Sequence, residues 1–528
     1  MTVEIVNVPP QPGPSRPAAV VATPAAADRP WPAIVRRCAL VPLVVVAPLV
    51  ALTPGADHRF NVYANGALYA GHPWRLVAAA FGSVPAFLRQ GNFRPLGRVV
   101  EWSLDTAAYA ITALLGAPAN ISLRLVSFAA ATVLTLAAVV FAESVTRRGR
   151  LFAGPPSVLA ATLPFAVGAG LVAAGRTSTT VLFGGLYFLS AALVLAVAAA
   201  ACRVTRLGRV AGVLAVLAGA GLAAFNELAC LAVPLASAAV LLRCRVVLGL
   251  RWRATLRSSA ARFAGLLWVG FLPVFVPVRL IIYDRCARGG CYSGSAVALP
   301  GAAAALPNRL VSWLPPLMWQ RAADSAPPRL ASALPLLALL VLAVLAWRAA
   351  LQSPRLATLD RRQALGLAVA ASVAVLLGGA MAALNADVQD FARLGRWGQG
   401  WRDSGLTTAA GGMLLLCPLA VRRRWAAVAL VPLVAAGAVS AAANQGFHDG
   451  TSAGGFPYLH DRIAQEVADF DLTPAGDARR CALREQFTKT SIANHHGVDA
   501  PELERFDVSL NRATERLHGR RFCSRAAR

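Results

Sequence analysis

The sequence predicts an all-α polytopic membrane protein with about eleven transmembrane helices, within a range of eleven to thirteen, and a small external C-terminal helical domain. Hydrophobic residues make up 57% of the 528-residue chain and charged residues only 14%. Soluble domains carry about 25% charged residues, so most of this surface must face lipid or other helices. The long apolar stretches approach the roughly 20 residues that span a bilayer, and they lack the period-2 alternation of a β-barrel.

Clusters of arginine between the apolar stretches orient the chain in the membrane. The formal net charge is +26, but the arginines are dispersed through the connections, which favours positive-inside topology over a nucleic-acid groove. Placing the clusters in the cytoplasm predicts a disordered cytoplasmic tail at 1–37, a transmembrane domain at 38–443 and an external C-terminal domain at 444–528. The expected location is the bacterial inner membrane, with an external C-terminus.

This charge pattern also assigns the individual spans and loops. External loops are expected at 55–120, 284–329 and 385–404. The predicted helices lie near 38–54, 121–143, 156–174, 178–202, 208–225, 226–243, 263–283, 330–350, 364–384, 405–421 and 425–443.

The segment 98–117 is apolar enough to be considered a further span. If it crossed, every later connection would invert and the arginine clusters would lie outside. We therefore predict a re-entrant or interfacial helix on the outer face. Two alternatives stay open: twelve spans with an external N-terminus, or a spanning segment with several arginine turns outside. Glu101 and Asp105 share one face of this helix, which favours a solvated polar face over a second acid or a cation site.

Cysteine usage is consistent with an oxidising exterior. The chain has nine cysteines; Cys286 and Cys291 bracket a glycine-containing turn, and Cys481 and Cys523 flank the C-terminal domain. We expect the disulfides Cys286–Cys291 and Cys481–Cys523, with four free thiols as the alternative. A zinc site in the C-terminal domain is disfavoured because its ligand spacing matches no common pattern: Cys481, His495, His496 and Cys523.

Residues suited to chemistry gather at the predicted outer face, in a recognisable order. Asp57 and His58 open the first external loop, and Asn92-Phe93-Arg94-Pro95-Leu96-Gly97-Arg98 precedes the segment 98–117. Leu123-Arg124-Leu125 heads the next helix, and Phe225-Asn226-Glu227-Leu228 lies at a mid-chain helix turn. Each motif is short and weak by itself, so any comparison with a known family depends on the order of the motifs along the chain.

In this order the motifs resemble those of the GT-C superfamily of polytopic membrane glycosyltransferases. In that superfamily the first external loop carries the catalytic acid, and a sugar is taken from a polyprenyl-phosphate carrier. The resemblance covers roughly residues 38–240 and implies Asp57 as the catalytic residue. His58 stands where many members have a second carboxylate. No clear acidic metal motif follows in later loops, so the resemblance implies no definite cofactor and leaves a divalent metal open.

The residues themselves allow the same chemistry. Inverting sugar transfer needs a carboxylate base to take the proton of the acceptor hydroxyl, and the leaving phosphate needs fixed positive charge. Asp57 would be that base, and arginine can donate two hydrogen bonds to one phosphate group. The predicted substrate and phosphate site contains His58, Arg94, Arg98, Glu227 and Arg402. Each of these residues also has a purely structural interpretation. Asp57 would cap a loop helix, and Arg94 and Arg98 would extend their charges to lipid headgroups. Glu227 would pair with Arg176, and Arg402 would belong to an aromatic belt at the membrane boundary.

Two classes of function follow. As an enzyme, the protein would transfer a sugar from a polyprenyl-phosphate donor to a glycan, lipid or protein acceptor of the cell envelope. Alternatively, it would be a transporter or flippase for a lipid-linked glycan. The charged groups gather at the outer boundary and not in mid-helix, which favours the enzyme. The expected partners are therefore the bilayer, the lipid-linked sugar and its acceptor, and no nucleic acid.

Overall fold

The computed structural model describes residues 30–52, 61–289, 291, 297–452, 459–494 and 500–524. Within this part of the chain the secondary structure is helical, with two isolated β-bridges and no strand. The all-α prediction is therefore confirmed. Most of the predicted cytoplasmic tail lies outside the described residues.

The helices are numbered in chain order. The N-terminal part contains α1 (Pro30–Val46), a π-helical turn (Val62–Ala67), α2 (Pro73–Gly82), α3 (Val84–Arg89) and α4 (Pro95–Leu115). The central part contains α5 (Ala119–Thr146), α6 (Val158–Ala169), α7 (Gly184–Arg203), α8 (Arg209–Ala223), α9 (Ala232–Leu242), α10 (Trp252–Arg257) and α11 (Ser259–Ala287). There follow α12 (Ala302–Val311), α13 (Pro315–Ala323), α14 (Ala333–Gln352), α15 (Arg361–Ala383), α16 (Ala386–Arg393), α17 (Ser404–Leu416) and α18 (Arg423–Ser452). The C-terminal helices are α19 (Leu459–Ala468), α20 (Pro474–Asn494) and α21 (Ala500–His518).

Among the described residues, eight helices are long and apolar enough to cross a membrane by length and composition. They are α1, α5, α7, α9 with its flanking turns, α11, α14, α15 and α18. Three of the predicted spans correspond instead to shorter apolar helices, α6, α8 and α17. A multi-pass helical protein is thus what the structure shows, and the count of eleven spans stays a prediction.

The start of the first helix differs from the prediction, whereas the segment 98–117 is helical as expected. The helix α1 begins at Pro30, before the predicted start at 38, because proline suits the first turn of a helix. Arg37 consequently lies inside this helix, 2% exposed, and donates to the side chain of Gln352 in α14. The segment 98–117 forms the continuous helix α4, which is not among the eight candidate spans. Its interfacial position stays a prediction.

Several arginine clusters meet at one end of the helix bundle, which we call the arginine-rich end. Arg243 at the end of α9 donates to the carbonyls of Ser144 and Val145, at 2.8 and 3.0 Å. Arg203 at the end of α7 donates to the Glu143 carbonyl at 2.7 Å. These guanidinium groups satisfy the open carbonyls of the last turn of α5. The ends of α5, α7 and α9 therefore lie at a common level.

An irregular segment at 170–183 lies buried beside these helices. Buried backbone in a membrane protein needs internal hydrogen-bond partners. Asn444 of α18, fully buried, accepts from the amide of Ala173 at 2.8 Å and donates to the Leu171 carbonyl at 3.0 Å. Arg124 of α5, also fully buried, donates to the carbonyls of Leu52, Thr180 and Val181 at 2.8–3.1 Å. The segment can therefore remain non-helical, because these side chains provide hydrogen-bond partners for its buried backbone groups.

The C-terminal helices cover the 61–70 segment and the second half of α4. Their apolar core joins Ile463, Val467, Leu483, Phe487, Leu510 and Phe522 to Val62, Tyr63, Ala108 and Tyr109. Arg512 of α21 also donates to the Leu68 carbonyl at 3.0 Å. This packing forms a helical cap at the end of the bundle opposite the arginine-rich end.

Both predicted cysteine pairs lie at disulfide distance and are confirmed. The Cα atoms of Cys286 and Cys291 are 4.8 Å apart, and those of Cys481 and Cys523 are 5.0 Å apart. The second bridge closes a 42-residue separation, which would stabilise the small cap by about 3–4 kcal/mol in the chain-entropy account. The other five cysteines are buried and free, as small apolar residues commonly are.

Cysteine labelling can determine which side of the membrane the arginine-rich end and the cap each face. We expect single cysteines placed at Arg206 or Arg253 to be labelled only from the cytoplasm, because positive charge is retained there. A cysteine at the exposed Arg288 should be labelled from outside intact cells by a membrane-impermeant maleimide. Labelling of position 206 from outside would invert the topology and place the cap in the cytoplasm.

Candidate functional site

The start of α4 is attached to the mid-chain turn that carries Glu227. The amide of Leu96 donates to the Ala224 carbonyl at 3.1 Å. A Cβ at Gly97 would overlap the carbonyl of Phe225, so only glycine permits this approach. Two motifs that are more than 120 residues apart in the sequence therefore form one corner of the molecule.

The turn itself is held by Asn226. Its side-chain oxygen accepts from the Ala229 amide at 2.9 Å, and its amide nitrogen donates to the Ser190 hydroxyl of α7 at 2.7 Å. Asn226 is 2% exposed, so the turn is fixed from its buried side. Its neighbour Glu227 is half-buried.

Glu227 lies in the field of three arginines. Burial favours the neutral acid, but the charges of Arg402, Arg279 and Arg94 outweigh burial and lower the pKa of Glu227. Among the described residues the Glu227 carboxylate forms no salt bridge, so the three guanidinium groups act on it from beyond direct contact. The predicted alternative partner Arg176 is not among the three. This arrangement leaves fixed positive charge around an ionised carboxylate.

Glu101 and Asp105 occupy the buried face of α4, and the expected solvated polar face is wrong. Glu101 is 7% exposed and lies 3.6 Å from the guanidinium of Arg94, while Asp105 is 1% exposed. Burial, reinforced by the charge of Glu101, raises the pKa of Asp105 well above its usual range. A 3.2 Å hydrogen bond from the Asn65 side chain lowers that pKa but does not outweigh burial. The reason is packing: α2 and the 61–70 segment cover this face of α4.

The two predicted phosphate-binding arginines differ in their surroundings. Arg98 is 3% exposed, and its guanidinium stacks on the ring of Phe87 in α3, 3.1 Å from the ring centroid. Arg94 is more accessible, with 19% of its side chain exposed. Arg94 is therefore the better placed of the pair to meet a ligand, whereas Arg98 also fastens α3 to α4.

Arg402 reaches the same corner from the connection between α16 and α17. Its guanidinium lies 5.8 Å from the ring centroid of Tyr187 and 5.2 Å from that of Trp401. Tyr187 in turn lies in the electrostatic field of Arg402, Arg94 and Glu227. The structure thus brings together Arg94, Glu227 and Arg402, three of the six predicted site residues.

The connection that carries Arg402 is fixed on both sides. The Gly400 amide donates to the Ala174 carbonyl at 2.7 Å, and the Thr179 hydroxyl donates to the Trp401 carbonyl at 2.9 Å. From the other side Arg309 of α12 forms a buried ion pair with Asp403. Because Asp403 adjoins Arg402 in the chain, this ion pair helps to determine where Arg402 points.

Two predicted residues, Asp57 and His58, lie outside the described residues. The chain is described up to Leu52 and again from Asn61. Asn65, which donates to Asp105, follows Asp57 by eight residues, a reach of at most about 27 Å of extended chain. The catalytic assignment of Asp57 stays a prediction.

Sequence reasoning missed two features of this corner. Arg279 lies within the long apolar helix α11 and contributes to the field at Glu227. A lone arginine in an apolar helix is itself a functional signal, so it could have been found. The Arg309–Asp403 pair could not, because its partners are 94 residues apart and neither lies in a motif.

The arrangement favours an anionic ligand. Arg94, Arg279 and Arg402 act on the Glu227 carboxylate, and Arg94 also pairs with Glu101. The described part of the chain holds no group of three or more histidine, cysteine or carboxylate side chains that could bind a metal ion. Comparison of the chain with protein-family models, with curated proteins and with solved structures gives no match.

Proposed function

We propose that this protein is a GT-C-like membrane glycosyltransferase that transfers a sugar from a polyprenyl-phosphate donor to a cell-envelope acceptor. The observation that carries the proposal is the contact between the start of α4 and the mid-chain turn, which places the half-buried Glu227 in the electrostatic field of Arg402, Arg279 and Arg94. This site lies at the end of the helix bundle where candidate spans meet the cap, so a lipid-borne phosphate can approach it from the bilayer. Arginine is suited to that phosphate because its planar group donates two hydrogen bonds at once.

The reaction places one group on each side of the anomeric carbon. The acceptor oxygen forms a bond to that carbon, the bond from the carbon to the phosphate oxygen breaks, and the polyprenyl phosphate leaves with the electron pair. Arg94 and Arg402 stabilise the phosphate charge as it develops. A carboxylate, assigned to Asp57, takes the proton of the acceptor hydroxyl, and the configuration at carbon inverts.

Substitution of Arg94 tests the phosphate site. Arg94→Lys keeps the charge but removes the bidentate contact, so we expect the affinity for a short-chain polyprenyl phosphate to fall about tenfold. The measurement is equilibrium binding to the detergent-purified protein. Arg89→Lys is the matched control, because Arg89 is exposed at the end of α3. Equal affinities in both variants would contradict an Arg94 phosphate site.

A transfer assay separates the proposal from its alternative. Purified protein in liposomes is supplied with polyprenyl-phosphate-linked radiolabelled hexoses and pentoses and with a lipid extract as acceptor. Formation of a labelled product that requires Arg94 supports a transferase. Movement of the intact lipid-linked sugar between leaflets without transfer would support the transporter or flippase.

A further inference from the structure

The connection between α9 and α11 carries an apolar stripe beside a run of positive charge. Leu248, Trp252 and Leu256 recur every four residues and are 37%, 57% and 63% exposed. Arg251, Arg253 and Arg257 are exposed on the same short segment. Residues four apart share a face of a helix, so Trp252 and Leu256 lie on one side of α10, and Arg253 and Arg257 lie together about 100° further round.

The position of this segment relative to lipid follows from its neighbours. Candidate spans end at Val247 and begin again at Ser259, so 248–258 must lie at the level where the apolar part of both helices stops. The turn into it requires glycine, because Gly249 has a φ of +67°. The exposed tryptophan and leucine therefore meet the boundary between headgroups and acyl chains, where tryptophan is enriched.

The segment is held rigidly against the bundle. Thr255 of α10 is fully buried, and its carbonyl accepts from the Ser258 hydroxyl at 2.7 Å. The guanidinium of Arg245 lies 4.5 Å from the ring centroid of Trp252. Arg362 at the start of α15 reaches the Gly249 turn. These contacts hold α10 next to the end of α9 and the start of α15.

The positive charge of this segment has no counterpart nearby in the chain. Between Glu227 and Asp284 the sequence contains no acidic residue. In the described part of the chain, none of the arginines exposed on this connection forms an ion pair: Arg251, Arg253, Arg257 and Arg262. Such a cluster repels itself unless anions from another source approach it, and anionic headgroups are attracted to basic segments next to a membrane span.

We propose that α10 is a binding site for an anionic phospholipid of the leaflet at the arginine-rich end. Trp252 and Leu256 insert among the acyl chains next to the headgroup. Arg253 and Arg257 bind the phosphate of that lipid from the adjacent face of the helix. The site is separate from the Glu227 corner, which lies at the opposite end of the bundle, and it does not depend on the proposed transferase activity.

Fluorescence quenching by brominated lipid tests this site. The full chain is reconstituted in phosphatidylcholine nanodiscs that contain equal fractions of dibrominated phosphatidylglycerol or dibrominated phosphatidylcholine. The signal of Trp252 is the difference between the wild type and Trp252→Leu. We expect the brominated anionic lipid to quench that signal at least about fivefold more effectively than the neutral one, as one phosphate–arginine attraction implies.

Charge-removing variants complete the test. Arg253→Gln/Arg257→Gln should abolish the preference for the anionic lipid. Arg422→Gln/Arg424→Gln should retain it, because it removes two exposed charges from the same end of the bundle at the start of α18, which packs mainly against α14 and α6. Equal quenching by both lipids in the wild type would overturn the proposal. So would loss of the preference in both double variants, since that result means attraction by net charge alone.

Discussion

Asp57→Asn is expected to reduce sugar transfer by about 10²–10⁴-fold, while the amount of folded protein stays unchanged. Asparagine keeps the size and hydrogen bonding of the side chain but cannot take the proton of the acceptor hydroxyl. The measurement is the rate of transfer by purified protein in liposomes at saturating donor. Affinity for the polyprenyl phosphate should change little, because Arg94 and Arg402 remain.

Asp284→Asn provides the matched control. Asp284 is an exposed carboxylate at the end of α11 that pairs with Arg288, so its loss should leave transfer unaffected. If Asp57→Asn transferred sugar at the wild-type rate, the base would be another carboxylate of the corner. Glu227 would then be the first to test, because its lowered pKa keeps it ionised, whereas the raised pKa of Asp105 favours the protonated acid.

Arg309→Met is expected to destabilise the protein by about 3–5 kcal/mol, because it leaves Asp403 buried without its positive partner. The two side chains are 1% and 0% exposed, and Arg309 also donates to the Gln399 carbonyl at 2.6 Å. Thermal unfolding of the purified protein measures the loss. We also expect weaker donor binding, since Arg402 follows the Gln399 connection and adjoins Asp403.

Two further variants separate charge from volume in this prediction. Arg309→Met/Asp403→Leu should recover most of the stability, because a buried ion pair can be replaced by apolar side chains at little cost. Arg393→Met removes an exposed pair with Asp390, of which the side chains are 70% and 57% exposed, and should change stability by less than about 1 kcal/mol. A loss in Arg309→Met no larger than in Arg393→Met would contradict a stabilising role of the buried pair.

Local composition was sufficient for the class of protein and for the cysteine pairs. Apolar stretches such as 123–142 in α5 need no partner to be recognised, because each must satisfy its own backbone within the membrane. The bridge Cys286–Cys291 followed from proximity in the chain, and Cys481–Cys523 from placing both cysteines on one side of the membrane. The arginine clusters predicted a cytoplasmic side, which stays a prediction; in the structure Arg203 and Arg243 both bind the end of α5.

Only the tertiary structure decided which residues form the candidate site and which are buried. The sequence predicts that Glu101 and Asp105 are solvated, because helical spacing shows that they share a face but not what packs against it. In the structure α2 and the 61–70 segment pack against this face. The meeting of Arg94 with Glu227 depends on the close approach of Gly97 to Phe225. Such contacts join distant parts of the chain, and local periodicity carries no information about them because it reports only neighbours within a few turns.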